Sequence, residues 1–202
     1  FVISEEQGLF RFHPPTLQFT SVGLLACPTG GSTPTSMAVD RYGIAWIRYR
    51  DGSLWKVSTK DLSCEPTKFV SPAEGQPFSK FGMGFSTSSK GGSNEQLFLS
   101  DSATGFGIAK LDITTFKINY VGPFTGDLSG KAAELTGTGD GKLFGFFVTA
   151  PAQVAEITKG TGEVASPKPL SNTFAGNAWA FSFYAGDFYV YTSSESTGGV
   201  PR

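Results

Sequence analysis

The chain has 202 residues, and its 16 basic and 17 acidic side chains give a formal net charge of −1. A near-neutral chain lacks the basic surface that nucleic-acid-binding proteins use, so we expect no nucleic-acid partner. No apolar run reaches the roughly 18 residues of a transmembrane helix, and we expect no membrane span. The 26 Gly, 19 Phe and 12 Pro residues favour short strands joined by tight turns.

The chain opens on a partial unit, residues 1–22, which contains three predicted strands. They are Phe1–Ser4, Leu9–Phe12 and Leu17–Val22. Because the sequence starts with Phe1, inside a strand, we expect a processed product whose signal peptide has been removed.

A strand–turn–strand pattern then occurs four times. The first strand of each copy is one of four aligned segments, Met37–Asp40, Met83–Ser86, Ala133–Thr136 and Trp179–Ser182, spaced by 46, 50 and 46 residues. Gly and Asp in the following turns suit positive backbone angles. The second strands begin at Ile44, Leu97, Leu143 and Phe188.

Two further strands complete each internal unit. The third strand of each unit is apolar except for one charged residue, which is Lys56, Lys110 or Glu156. The fourth strand is polar, as expected for a strand at the edge of a sheet. A unit of about 46 residues with four antiparallel strands is the size of a propeller blade. The sequence therefore predicts an all-β fold, a β-propeller of four-stranded antiparallel blades. We expect about four to five blades in one domain, residues 1–202, with complete blades near 37–70, 83–121 and 133–166.

The sequence of the two ends does not decide how the ring of blades closes. Residues 179–192 supply only the first two strands of a last blade, while residues 1–22 supply strands without a first one. The termini could exchange strands to close a four-bladed ring. We instead favour a longer parent protein or association of chains, which makes a homo-oligomer through incomplete terminal blades an alternative.

The two cysteines, Cys27 and Cys64, lie in polar segments next to proline. They are either one disulfide of an extracytoplasmic protein, which we favour, or two buried thiols. A bridge would stabilise the fold by about 3–4 kcal/mol in the chain-entropy model. Two Cys and a single His cannot form a structural zinc site without carboxylates, and we expect no metal and no cofactor.

The sequence resembles a group of uncharacterised secreted or lipid-anchored bacterial proteins with β-propeller-type repeats. The resemblance rests on Leu9–Thr16, Met37–Trp46, Glu134–Phe147 and Gly176–Phe181, with His13 where that group usually has Asp. It implies a secreted, cell-surface or periplasmic bacterial protein, and it implies no established activity.

Glu134 is the most informative candidate residue. The second position of the aligned inner strands is otherwise small, as at Ala38, Gly84 and Ala180. A carboxylate there should face the central channel or pair with a base, because unpaired burial is costly. We weigh a structural role against a ligand-binding or catalytic one.

Other candidates lie in the loops that lead into the inner strands and in those between second and third strands. These loops should gather on one face of the propeller, which we call the loop face, and loops on a rigid scaffold often bind ligands. The polar residues on it are Arg50, Lys80, Asp101, Lys131 and Asn177.

Two other motifs are weak. His13 is the only histidine and is expected to be a solvated turn residue. The stretch Gly137–Lys142 lacks the spacing and the following helix of a phosphate-binding loop, and we expect a hairpin turn. We therefore assign no catalytic residue.

The leading functional hypothesis is a non-enzymatic extracytoplasmic module that binds a protein or a surface polymer, or builds an assembly. A lectin-like, carbohydrate-binding propeller is the second hypothesis, since Trp46, Trp55 and Trp179 could stack on sugars. A polysaccharide hydrolase or lyase is the third, and it requires Glu134 in an open pocket beside another titratable group.

Overall fold

A computed structural model describes residues 1–171, 173, 176 and 178–192. The described residues form seventeen β-strands and two short 3-10 turns, at Pro14–Thr16 and Gly126–Leu128. The all-β prediction is confirmed, and no described helix is long and apolar enough to cross a membrane.

Three complete blades follow one another along the chain. Blade 1 contains β4 (Pro34–Val39), β5 (Ile44–Tyr49), β6 (Leu54–Ser58) and β7 (Cys64–Pro66). Blade 2 contains β8 (Phe81–Thr87), β9 (Glu95–Asp101), β10 (Ile108–Leu111) and β11 (Ile118–Gly122). Blade 3 contains β12 (Ala133–Gly137), β13 (Leu143–Phe147), β14 (Gln153–Ile157) and β15 (Val164–Pro169). Every neighbouring pair within a blade is antiparallel, in sequence order.

Two smaller sheets flank these blades. The N-terminal sheet contains β1 (Val2–Ile3), β2 (Gly8–His13) and β3 (Gln18–Leu24), and the C-terminal sheet contains β16 (Trp179–Tyr184) and β17 (Asp187–Thr192). Within the described ranges the two sheets do not merge by strand exchange. They stack instead, with the Phe12 ring 5.3 Å from Tyr189 and 5.2 Å from Tyr191 between centroids.

The sheets are arranged as a β-propeller, as predicted, because each packs its apolar face on the next. The C-terminal sheet contacts blade 3 through Phe181, whose ring centroid is 5.9 Å from that of Phe146. The inner strands β4, β8, β12 and β16 lie side by side around the centre. Fully buried Met83, Leu97 and Leu99 fill the space between blades 1 and 2.

Local chemistry explains the tight turns. In the β4–β5 turn the Asp40 carboxylate accepts hydrogen bonds from the amides of Tyr42 and Ile44, at 2.9 and 3.0 Å, and Gly43 has φ +77°. Gly137–Lys142 likewise forms the β12–β13 hairpin turn and not a phosphate loop.

The disulfide prediction is confirmed. Cys27, which follows β3, is bonded to Cys64 of β7 across a sequence separation of 37 residues. The bond joins the N-terminal sheet to the outer strand of blade 1.

Candidate functional site

A cavity of about 650 Å³ opens at the centre of the propeller, on the loop face. Its walls are the first residues of the inner strands together with β1, because all of these chain segments reach the centre at the same end. A volume of this size is typical of small-molecule sites.

Glu134 lines this cavity from β12. The Ser36 hydroxyl of β4 donates a hydrogen bond to Glu134 Oε2 at 3.1 Å and accepts one from the Met83 amide of β8, also at 3.1 Å. Three inner strands therefore meet at one carboxyl group. Gly82 is required beside it, since a Cβ there would lie 2.9 Å from Glu134 Cδ and 2.3 Å from the Ala133 carbonyl oxygen.

Burial raises the pKa of Glu134 to about 8, and hydrogen bonding from Ser36 and the Met83 amide opposes the shift without cancelling it. None of the described Lys and Arg residues forms an ion pair with this carboxyl group. Glu134 is therefore predominantly a neutral carboxylic acid at pH 7. In that form it can donate as well as accept a hydrogen bond.

Arg48 of β5 borders the same cavity and is only 4% exposed. Its guanidinium donates to the Tyr49 carbonyl, to Ser71 Oγ at 3.1 Å and to the Ser79 carbonyl at 2.8 Å. Burial lowers the pKa of Arg48, and the charge of Asp51 opposes this change. The guanidinium stays charged, since arginine is not deprotonated in proteins, and its described hydrogen-bond partners are all neutral oxygens; its Nε has no described partner.

Two further cations stand at the rim. Arg50 lies 3.7 Å from Glu5, and Lys80 lies 3.8 Å from Glu74. All four side chains are more than 60% exposed, so these pairs contribute little to stability and can rearrange around a ligand. The predicted residues Glu134, Arg50 and Lys80 thus border one cavity.

Asp101 has a different environment. It is fully buried, does not line the cavity, and accepts hydrogen bonds from the amides of Phe78, Ala103, Thr104 and Phe106 and from the Thr104 hydroxyl. Burial alone would raise the pKa of Asp101, but these hydrogen bonds bring it below its ordinary value. This carboxylate organises the β9–β10 loop.

The remaining predicted residues lie apart. Lys131 is exposed and does not line the cavity, although its neighbour Ala132 does. Asn177 lies outside the described residues. A ligand role for either residue stays a prediction.

The three tryptophans fall into two groups. Trp46 and Trp55 are buried in blade 1 at 4% and 8% exposure, with their indole N–H groups bonded to Asp40 and Ser53. Trp179 of β16 is partly exposed and lines the cavity, whereas the ring of Phe181 packs against Phe146 and Phe188. Of these tryptophans, Trp179 alone is placed to stack on a ligand in this cavity.

Sequence reasoning missed Arg48, Ser36 and Tyr49. A charge inside the apolar strand Ile44–Tyr49 was a signal of the same kind as Glu134. Ser36 and Arg48 are directly opposite in the β4–β5 register, so their side chains share one face of blade 1. Tyr49 is fully buried on the cavity wall, its hydroxyl has no described partner, and burial, helped by the charge of Asp51, raises its pKa to about 12.

Comparisons with known proteins give distant structural similarity only. No protein-family profile and no curated protein sequence matches the chain. A luciferin-regenerating enzyme is similar over 91% of this chain at 12% identity, with a TM-score of 0.47. A protein of unknown function from Bacteroides caccae is similar over 92% of this chain at 15% identity, with a TM-score of 0.43. The chain spans 62% and 61% of the lengths of those two structures. Similarity at this level says nothing about ligand or activity.

Proposed function

We propose that the protein is a non-enzymatic, extracytoplasmic binding module whose central cavity holds a saccharide segment of a surface polymer. The proposal is supported mainly by the cavity, which brings the partly exposed Trp179 together with the polar groups of Glu134, Ser36 and Arg48. Sugars need both, since their C–H faces stack on rings while their hydroxyls require donors and acceptors.

The size of the cavity favours this ligand over a folded protein partner. About 650 Å³ accommodates a few sugar units. A protein partner would need a broad contact surface, commonly about 800 Å² on each side. The Cys27–Cys64 disulfide supports an extracytoplasmic location, because such bonds persist in oxidising compartments.

An enzyme that uses Glu134 is the second candidate, a polysaccharide hydrolase or lyase. A carboxyl group that stays protonated near neutral pH is suited to general-acid catalysis. The rim carboxylates Glu5 and Glu74 line the same cavity, but each is near a rim cation and neither forms a described hydrogen bond with Glu134. A hydrolase would need one of these acids about 5–10 Å from Glu134 and free of its rim cation, whereas binding needs only the cavity that is present, so we favour binding.

The test is a glycan array probed with the full chain and with Thr35→Trp. Thr35 is exposed and lines the cavity, so the indole should block the opening and remove binding. Thr114→Trp is the matched control, because Thr114 is exposed in the β10–β11 turn, on the opposite face. Failure to bind any glycan, or equal binding by Thr35→Trp, would refute the proposal.

Incubation of the bound glycan separates binding from catalysis. We expect it to be recovered intact. Cleavage that disappears in Glu134→Gln would instead establish the enzyme.

A further inference from the structure

The charges around the cavity are unbalanced. Arg48, Arg50 and Lys80 carry three positive charges, while Glu5 and Glu74 carry two negative ones and Glu134 is held mainly neutral at pH 7. The two rim acids lie beside the two rim cations. Arg48 is therefore the one of these three cations without a carboxylate in ion-pair contact; Asp51 acts on its charge but does not line the cavity.

Arg48 is an unusual wall residue, since a buried guanidinium is normally paired with a carboxylate. Its described partners are two carbonyl oxygens and one serine hydroxyl, and its Cζ lies 5.4 Å from the centroid of the Phe81 ring. None of these groups carries a negative charge. An anion in the adjacent cavity would supply the missing counter-charge, and low local polarity strengthens that attraction.

Glu134 would not oppose such an anion. Ser36 lies opposite Arg48 in the strand register and bonds to Glu134, so the acid and the guanidinium flank the same serine. A neutral carboxyl group can donate its proton in a hydrogen bond to an anionic oxygen. The cavity wall thus offers donors and a positive charge at one place.

We propose that the saccharide bound in this cavity is acidic, with its carboxylate held at the wall formed by Arg48, Ser36 and Glu134 and steered there by Arg50 and Lys80. The inference rests on the proposed function and specifies its ligand class. Neutral sugars could still stack on Trp179, but they would leave Arg48 without an anion in direct contact.

The experiment is calorimetric titration of the full chain with oligogalacturonate, with a neutral galactose oligomer of equal length, and with sodium acetate, at pH 7. We expect the acidic oligomer to bind at least about tenfold more tightly than the neutral one, with affinity that falls as salt rises. Acetate should bind far more weakly, because it lacks the rings that stack on Trp179.

The matched variants are Arg50→Ala with Lys80→Ala, and Lys60→Ala as control. The first two side chains are exposed at the rim, so their removal should leave the fold intact and weaken oligogalacturonate severalfold. Lys60 is an exposed lysine in the β6–β7 turn, on the opposite face, and its removal should change nothing.

Three outcomes would overturn the inference. Equal affinity for the neutral oligomer would remove the acidic specificity while leaving the proposed function standing. Acetate binding as tightly as the oligomer would show a general anion site. No binding of either oligomer, together with an empty glycan array, would remove the proposed function itself.

Discussion

The loop around Asp101 and the cavity around Glu134 hold two carboxyl groups on the same face of the propeller, the first fully buried and the second partly exposed, and their pKa values shift in opposite directions. Asp101 receives five hydrogen bonds, four of them from backbone amides, and its pKa is lowered. Glu134 receives one from Ser36 and lies near the Met83 amide, and burial raises its pKa to about 8.

The difference shows that the number of donors, and not burial alone, sets the protonation state of these acids. Desolvation acts on both groups in the same direction. Asp101 has its oxygens occupied in holding a loop, so it has little capacity left for a ligand. Glu134 retains a proton and unused hydrogen-bonding capacity beside a cavity.

The largest expected effect comes from removing the better-satisfied carboxylate. Asp101→Ala leaves the buried Phe78 amide and three part-buried loop amides without an acceptor, and it should lower the free energy of unfolding by about 3–5 kcal/mol. Denaturant unfolding measures it. The matched control is Asp112→Ala, because Asp112 is a partly exposed aspartate that accepts hydrogen bonds from the amides of Thr114 and Thr115 in the β10–β11 turn, and the loss of stability should be clearly smaller. Equal losses would mean that burial adds nothing to the Asp101 network.

Removing the disulfide provides a reference for a loss of stability outside both the Asp101 loop and the cavity. Cys27→Ala with Cys64→Ala opens a loop of 37 residues and should lower the free energy of unfolding by about 3–4 kcal/mol. Ligand affinity should be retained at temperatures where the variant remains folded, because neither cysteine lines the cavity. Thermal and denaturant unfolding check the first part, and glycan titration checks the second.

Glu134→Gln should remove the pH dependence of the free energy of unfolding that Glu134 is expected to cause between pH 4.5 and about 8. Because the pKa of Glu134 is raised above its unfolded value of 4.5, the folded state holds a proton that the unfolded state releases. The free energy of unfolding should fall as pH rises from 4.5 to about 8, by at most about 1.4 kcal/mol per pH unit. Glutamine keeps the shape and should abolish this contribution, which denaturant unfolding at several pH values would show. A slope unchanged in the variant would assign it to other groups.

For Asp101 we expect the opposite dependence: the free energy of unfolding should fall as pH is lowered in the acidic range. At physiological pH this is the smallest of the expected effects. Its pKa is lowered in the folded state, so its stabilising contribution is complete above the ordinary value of 3.8 and is lost as pH falls through the folded pKa. Acid unfolding of the wild type and of Asp101→Asn should therefore differ in steepness only below about pH 4. A difference that persists unchanged in steepness at neutral pH would contradict this assignment.

Much of the fold could be predicted because the repeat is visible in the amino-acid sequence. The spacing of the aligned segments and the turn chemistry at Asp40 and Gly43 identify four-stranded sheets without any tertiary information. The arrangement of the two terminal sheets could not be read this way. It depends on Phe12 meeting Tyr189 and Tyr191, residues far apart in the chain that carry no pairing signal.

Only part of the candidate site could be predicted from the sequence. Glu134 stood out because it replaces a small residue in an aligned position, and Arg50 and Lys80 followed from the loop face. Asp101 was also predicted from its place on the loop face. Its carboxylate does not line the cavity, because amides of the β9–β10 loop donate hydrogen bonds to it. The raised pKa of Glu134 comes from burial beside the closely packed Gly82, while the hydrogen bond from Ser36, 98 residues away in the chain, opposes it; only packing reveals either contact.

The most direct test is a carbon-detected NMR titration of the Glu134 side-chain carboxyl, assigned by its loss in Glu134→Gln. We expect a midpoint near pH 8 for Glu134 and a midpoint below the ordinary value of 3.8 for Asp101 in the same spectra. A Glu134 midpoint near the ordinary value of 4.5 would show an ionised carboxylate in the cavity, which would contradict the neutral acid and place a negative charge beside the proposed anion.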